Sequence, residues 1–186
     1  MRTLTDFGDA ATLLPLSVVI FAWFLSYDSR RVAGWWVIGV CLCILTTALL
    51  KIFLYANPPA SDFVSPSGHS SLSVLVYGTV TLVIAAERKG WLRFASLVGG
   101  VGLVAAIAGS RFWLNAHSAP EITIGLIIGL ITPALFTDQY LRWRREGKQL
   151  WLLILSTIMV IAVFHRQELG TEAFLHVISR KFITIH

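Results

Sequence analysis

"SPSGHSSLSVLVYGTVTLVIAAERKG", Ser65 to Gly90, decides how the chain is read. From His69 to Ala86 it contains no Asp, Glu, Lys or Arg, and about 20 mainly apolar residues are what a helix needs to cross the hydrocarbon of a bilayer. "ERKG" then ends the run with three charges and a glycine, as a short turn at a membrane surface does. The start is unlike the stop. Ser-Pro-Ser-Gly-His puts hydroxyls, a glycine and an imidazole at the mouth of the span, where they either cap the helix or build a site.

The same punctuation runs through all 186 residues. Apolar segments broken by charge give six candidate spans, about 11–26, 35–55, 69–86, 91–109, 119–137 and 150–165, the last being short. Composition agrees: 56% of residues are hydrophobic and 13% charged, with a mean hydropathy of +0.74, whereas soluble domains carry roughly 25% charged residues. The expectation is an all-α integral membrane protein, a bundle of about six transmembrane helices forming one membrane-embedded domain over 1–186. No small-residue cleavage pattern follows the first apolar stretch, which is read as a retained span rather than a signal peptide. The tail 166–186 has the clustered apolar positions of a helix lying on the membrane surface.

Cys41 and Cys43 stand two apart in an apolar run, so on a helix they point in different directions, and no disulfide framework or thiolate metal site is implied. "GGVGLVAAIAG" carries Gly99, Gly100 and Gly102 without a preceding strand, so helix packing, not nucleotide binding, is the reading. Gly125 and Gly129, spaced GxxxG, predict close packing of the fifth span. The formal charge of +5 comes from short interhelical loops with no long basic stripe, which argues against nucleic acid as a partner. Nine of the fifteen Lys and Arg residues fall on the side of the loops after spans one, three and five. The positive-inside rule places that side in the cytoplasm and the loops at 56–68 and 110–118 outside, at the periplasmic or exterior face of an inner membrane. Trp35, Trp36, Trp91, Trp143 and Trp151 lie near the proposed inner boundary, where an aromatic belt belongs.

Ionisable groups at membrane depth cost about 2.5 to 3.5 kcal/mol each on insertion scales, so their placement is informative. Lys51, His69, Arg111, His117 and Glu121 all fall at span ends, and the two spans between His69 and His117 return both imidazoles to one side. At "SPSGH" a helix start offers unpaired N–H groups to an anion, Gly68 permits close approach, Ser67 supplies a hydroxyl and His69 exchanges protons near neutral pH. In "SRFWLNAHSAPE", Ser110 to Glu121, Arg111 brings a planar cation suited to phosphate and His117 a nucleophilic nitrogen. Glu121, four residues on, either orients the ring as in a catalytic triad or completes a Ser118-x-x-Glu121 capping box with Pro120 in the first turn.

Lys51 with Pro59, "PSGH" at 66–69, and Ser110-Arg111-x5-His117-x3-Glu121 together resemble the three-part signature of the type 2 phosphatidic acid phosphatase family, which also includes acid phosphatases and vanadium haloperoxidases. The resemblance covers about 51 to 125 and implies a metal-independent phosphomonoesterase or pyrophosphatase acting on a lipid phosphate, with no cofactor. It implies that His117 attacks phosphorus to form a phosphohistidine, that Glu121 orients it and that His69 protonates the leaving group. Lys51, Ser67, Gly68 and Arg111 would hold the nonbridging oxygens. Two positions depart from the pattern: in "KIFLYANPP" Pro58 stands where the family has arginine, and Glu121 where aspartate is usual. The competing class is a noncatalytic binder or transporter of lipid phosphates on the same fold, with a haloperoxidase third. His165, His176 and His186 are read as outside the site, Trp113 as an interfacial residue and Asp62 as a solvated loop residue.

Overall fold

The computed structural model describes residues 2–57, 63–145 and 148–164, with the side chains of Arg2 and Thr3 not described. Pro58, Pro59, Asp62, the tail 166–186 and the three C-terminal histidines lie outside the described residues. Every element described is helical: α1 Arg2–Asp6, α2 Ala10–Tyr27, α3 Arg30–Ala56, α4 Gly68–Glu87, α5 Gly90–Trp113, α6 Ala119–Trp143 and α7 Leu150–Phe164. Helices α2 to α6 are long and apolar enough to cross a membrane. The sixth expected span, α7, is described over 15 residues, about 22 Å at 1.5 Å per residue, less than the roughly 30 Å of a hydrocarbon core.

The helix starts follow from short polar side chains. Asp9 caps α2 by accepting from the Ala11 N–H at 2.8 Å, and Ser29 caps α3 by accepting from Val32 N–H at 3.2 Å. Ser67 caps α4, its hydroxyl accepting from Ser70 N–H at 3.4 Å and from the Ser70 hydroxyl at 3.0 Å. Asn115, with φ of 51°, takes the left-handed conformation that asparagine tolerates better than most residues. That residue turns the chain out of α5 and back toward α6.

Helix α4 is the centre of the bundle, packed mainly on α5 and α6, while α3 packs on α6 and α2 on α3 and α7. Its buried surface is polar as well as apolar: Ser70, Ser71, Ser73 and Thr79 have no exposure. Small side chains there let backbones approach. A β-carbon at Gly125 would lie 2.5 Å from the Ser67 carbonyl oxygen, and one at Gly129 2.5 Å from that of Ser71. The GxxxG pair therefore seats α6 against the first turns of α4. Of Gly99, Gly100 and Gly102 in α5 only Gly100 makes such a close approach, to Thr81; Gly99 and Gly102 have nothing within 4 Å.

At the other end of the bundle Phe24, Trp36, Phe136 and Tyr140 form a packed aromatic cluster, with Phe24 and Phe136 centroids 5.4 Å apart. Trp36 is thus not part of an aromatic belt. It is buried and donates from Nε1 to the Ser17 carbonyl at 3.0 Å, whereas Trp35, Trp91, Trp143 and Trp151 are exposed as a belt requires. Lys148 is also turned inward. Its ammonium lies 2.6 Å from Asp28 and 3.3 Å from Glu87, both Lys148 and Asp28 side chains being fully buried, and the Tyr140 hydroxyl is 2.8 Å away. Part of the loop charge counted toward topology is therefore neutralised internally. Cys41 faces outward and Cys43 inward, as their spacing requires.

Candidate functional site

The site is built where the loop 63–67, the end of α3 and the start of α6 meet. Glu121 holds it together. One carboxylate oxygen, Oε1, accepts from the backbone N–H groups of Val64 at 2.6 Å and Ser65 at 2.9 Å. The other, Oε2, accepts from Ser118 N–H at 2.9 Å and lies 3.1 Å from His117 Nδ1. Its main-chain carbonyl accepts from Ser67 N–H at 3.0 Å. Capping and ring orientation, alternatives on sequence alone, are thus performed by one side chain at once. The side chain does a third thing that no spacing shows, fastening the "SPSGH" loop to α6.

The carboxylate only accepts, so Nδ1 carries the ring proton toward Glu121 and Nε2 is the nitrogen with the lone pair. His117 is 8% and Glu121 4% exposed. The His117 N–H also reaches the Arg111 carbonyl at 3.4 Å, alongside Ala116 N–H at 3.0 Å, which ties the end of α5 to the segment carrying the imidazole. Arg111 itself is half-buried in the last turn of α5.

On the opposite side of the loop, Lys51 is 2% exposed, near the end of α3. A β-carbon on Gly68 would stand 3.9 Å from the Lys51 Cε, so the lysine stem passes over the glycine that begins α4. The Tyr55 hydroxyl pairs with that of Ser65 at 3.2 Å and ties the loop to α3 as well. Lysine, glycine backbone and helix start thereby share one place, where a helix N-terminus favours anions. His69, one residue into α4, has its Nε2 3.4 Å from the Asp9 carboxylate.

The structure thus joins Glu121 to His117 directly, Ser67 to Glu121 through the backbone and Arg111 to His117 through the backbone, and it sets the Lys51 side chain alongside Gly68. His69 is joined to a residue that sequence reasoning passed over. Asp9 stands 60 positions from His69, at a helix start where an aspartate reads as a cap, and nothing in its spacing signals a second partner. The Val64 and Ser65 amides left no signal either, since backbone donors carry no residue identity. Among the described residues no group of three or more His, Cys, Asp or Glu side chains is placed to hold a metal ion.

Two imidazoles, a buried carboxylate, a lysine and an arginine thus lie at helix ends of an all-helical bundle whose long helices are apolar enough to cross a membrane. The family model for the PAP2 superfamily matches residues 51–145, starting at Lys51 and enclosing every candidate residue derived from the sequence, and the chain belongs to that superfamily. The chain is 29% identical over 141 residues to a Klebsiella pneumoniae protein described as an uncharacterized 22.5 kDa protein in the cps region. That alignment covers 73% of this chain and 66% of the relative, so the chain spans slightly less than two thirds of the relative's length. No solved structure is a significant match to the chain.

Proposed function

We propose that the protein is a membrane-embedded phosphatase that removes phosphate from a lipid phosphate or diphosphate through a phosphohistidine on His117. The observation that carries this reading is the Glu121 carboxylate, which holds His117 Nδ1 at 3.1 Å and anchors the loop that runs through Ser67 into Gly68 and His69 at the start of α4. A pocket that only bound anions would need cations and N–H donors. It would not need an imidazole held by a buried carboxylate.

In the first step the His117 Nε2 lone pair forms a P–N bond as the bond from phosphorus to the leaving oxygen breaks, and His69 gives that oxygen a proton. The leaving group is a lipid alcohol from a monoester or a lipid monophosphate from a diphosphate. In the second step water attacks phosphorus, the P–N bond breaks, a proton of the water passes to His69, and inorganic phosphate departs. Lys51, Arg111, Ser67 and the backbone at Gly68 hold the nonbridging oxygens, supplying the charge stabilisation that dominates phosphoryl transfer. Proton transfer from His69 adds about 10²- to 10⁴-fold. No step calls for a metal. The apolar helices around the site favour a lipid substrate, and the distribution of Lys and Arg favours an active site facing the periplasm or exterior.

The test is phosphate release from detergent-solubilised protein presented with undecaprenyl diphosphate, phosphatidylglycerol phosphate, phosphatidic acid and a lipid A phosphate, with and without EDTA. Release from at least one lipid, insensitive to EDTA and lost in His117→Ala, is expected. Lipid binding without release would replace this reading with the noncatalytic one, which the Pro58 departure favours.

A further inference from the structure

The segment ahead of α2 is more than a lead into a membrane span. The Thr5 hydroxyl pairs with that of Ser110 at 2.8 Å, next to Arg111, and the Phe7 carbonyl accepts from the Tyr77 hydroxyl at 2.8 Å. Gly8 fits so tightly that a β-carbon there would lie 2.6 Å from Ile107 Cγ2 and 3.1 Å from Ser73 Oγ. Three contacts from consecutive parts of the segment thus pin it across α4 and α5, and the residue delivered at its end is Asp9. Oδ1 of Asp9 caps α2 through Ala11 N–H at 2.8 Å. The other oxygen, Oδ2, lies 3.4 Å from His69 Nε2, with the Asp9 and His69 side chains 12% and 16% exposed.

We propose that Asp9 is a positioning residue for His69 in leaving-group protonation, an inference that rests on the phosphatase reading above. The carboxylate accepts from Nε2–H, which fixes the ring's orientation and makes Nδ1 the nitrogen that exchanges a proton with the leaving oxygen. In the acid form both ring nitrogens carry protons, one facing Asp9 and one facing the leaving group. After transfer the Nε2 proton stays with Asp9 and Nδ1 accepts the next proton from water. The site then holds two carboxylate–imidazole pairs with separate tasks: Glu121 with the nucleophile His117, and Asp9 with the acid His69. Asp9 lies outside the part of the chain that the family model matches, so the carboxylate of the second pair comes from the N-terminal segment.

The cap and the His69 contact are separable. Asp9→Ser keeps a good N-cap side chain but is too short and uncharged to hold the imidazole. The reaction is followed with two substrates, a lipid alkyl phosphate whose alkoxide must be protonated to leave and p-nitrophenyl phosphate, whose phenolate leaves without help. For Asp9→Ser the expected result is a kcat on the alkyl phosphate lower by about 10²-fold, with KM within about twofold and the first-turnover release of p-nitrophenolate, which precedes the water step that also uses His69, within about threefold of wild type. Asp9→Glu restores part of the alkyl rate, and in a His69→Ala background Asp9→Ser costs nothing further. A merely structural role would lower both substrates together. Equal losses on both substrates, no loss on either, or a full additional loss in the His69→Ala background would each overturn the proposal. Should Asp9→Ser melt well below wild type, Asp9→Asn, which keeps both size and cap, is read by the same criteria. If wild-type protein hydrolyses no phosphate ester, the phosphatase reading fails first and this one with it; if wild type is active and Asp9→Ser shows no leaving-group dependence, only the Asp9 inference fails.

Discussion

Replacing Glu121 by glutamine keeps the shape of the side chain and removes half of its accepting capacity. In the native site four N–H donors converge on the two carboxylate oxygens, from Val64, Ser65, Ser118 and the His117 ring. An amide has one accepting oxygen, so Glu121→Gln can satisfy the Val64–Ser65 pair or the Ser118–His117 pair, and its NH2 group then faces donors on the other side. Hydrogen bonds to a charged partner contribute about 1.5–3 kcal/mol each. Losing two, and weakening the remaining two from charged to neutral, costs about 3 kcal/mol or more at a site where Glu121 is 4% exposed. The chemical consequence is larger. If the oxygen turns to the loop, His117 loses the partner that fixes its tautomer; if it turns to His117, the loop carrying Ser67 and Gly68 is released. In the serine-protease triad the carboxylate-to-amide change lowers kcat about 10⁴-fold by allowing the wrong tautomer, and a fall of about 10³-fold or more is expected here. Single-turnover phosphate release, with a thermal melt in the same detergent, measures both quantities. A Glu121→Gln protein that keeps more than about a tenth of the wild-type kcat would refute the orienting role, whatever its melting temperature.

Two other substitutions separate the site from the scaffold. Gly125→Ala places a methyl group 2.5 Å from the Ser67 carbonyl; overpacking of this kind costs about 1–3 kcal/mol, and because the displaced turn is the start of α4, kcat should fall along with the melting temperature. Lys148→Met, at the far end of the bundle, leaves Asp28 buried without its 2.6 Å partner. Breaking such a pair from one side costs about 3–5 kcal/mol, so melting temperature should drop while kcat measured at low temperature stays near wild type, and adding Asp28→Asn should recover part of the loss.

The helices were legible in the sequence because a bilayer forces the issue: a segment must be long, apolar and internally hydrogen-bonded, and local composition reports all three. The order of polar groups along the chain was legible for the same reason, since an even number of spans returns two residues to one side. What local reading could not supply is contact between distant segments. Trp36 looks like its exposed neighbour Trp35 in sequence, yet only one faces the protein, because the orientation of a uniformly apolar helix is set by its neighbours and not by its own pattern. Lys148 is one of the loop charges that the topology count uses, and its burial against Asp28 and Glu87 carries no local signal because those partners come from two other interhelical junctions. Glu121 offered two local explanations, and the structure shows that the longer glutamate arm serves both while reaching the 64–65 backbone. Asp9 carried no sequence signal at all, because its contact with His69 joins segments 60 positions apart.

The central claim is that phosphate is transferred to a nitrogen of His117 before water receives it. Rapid quenching of wild-type protein during turnover of a lipid substrate labelled in the departing phosphate, followed by peptide mapping under basic conditions, tests it most directly. The account predicts an acid-labile, base-stable label on His117, formed at least as fast as turnover and absent from His117→Ala, which is also inactive. Phosphate release by His117→Ala at the wild-type rate, or a label on any other residue, would contradict it.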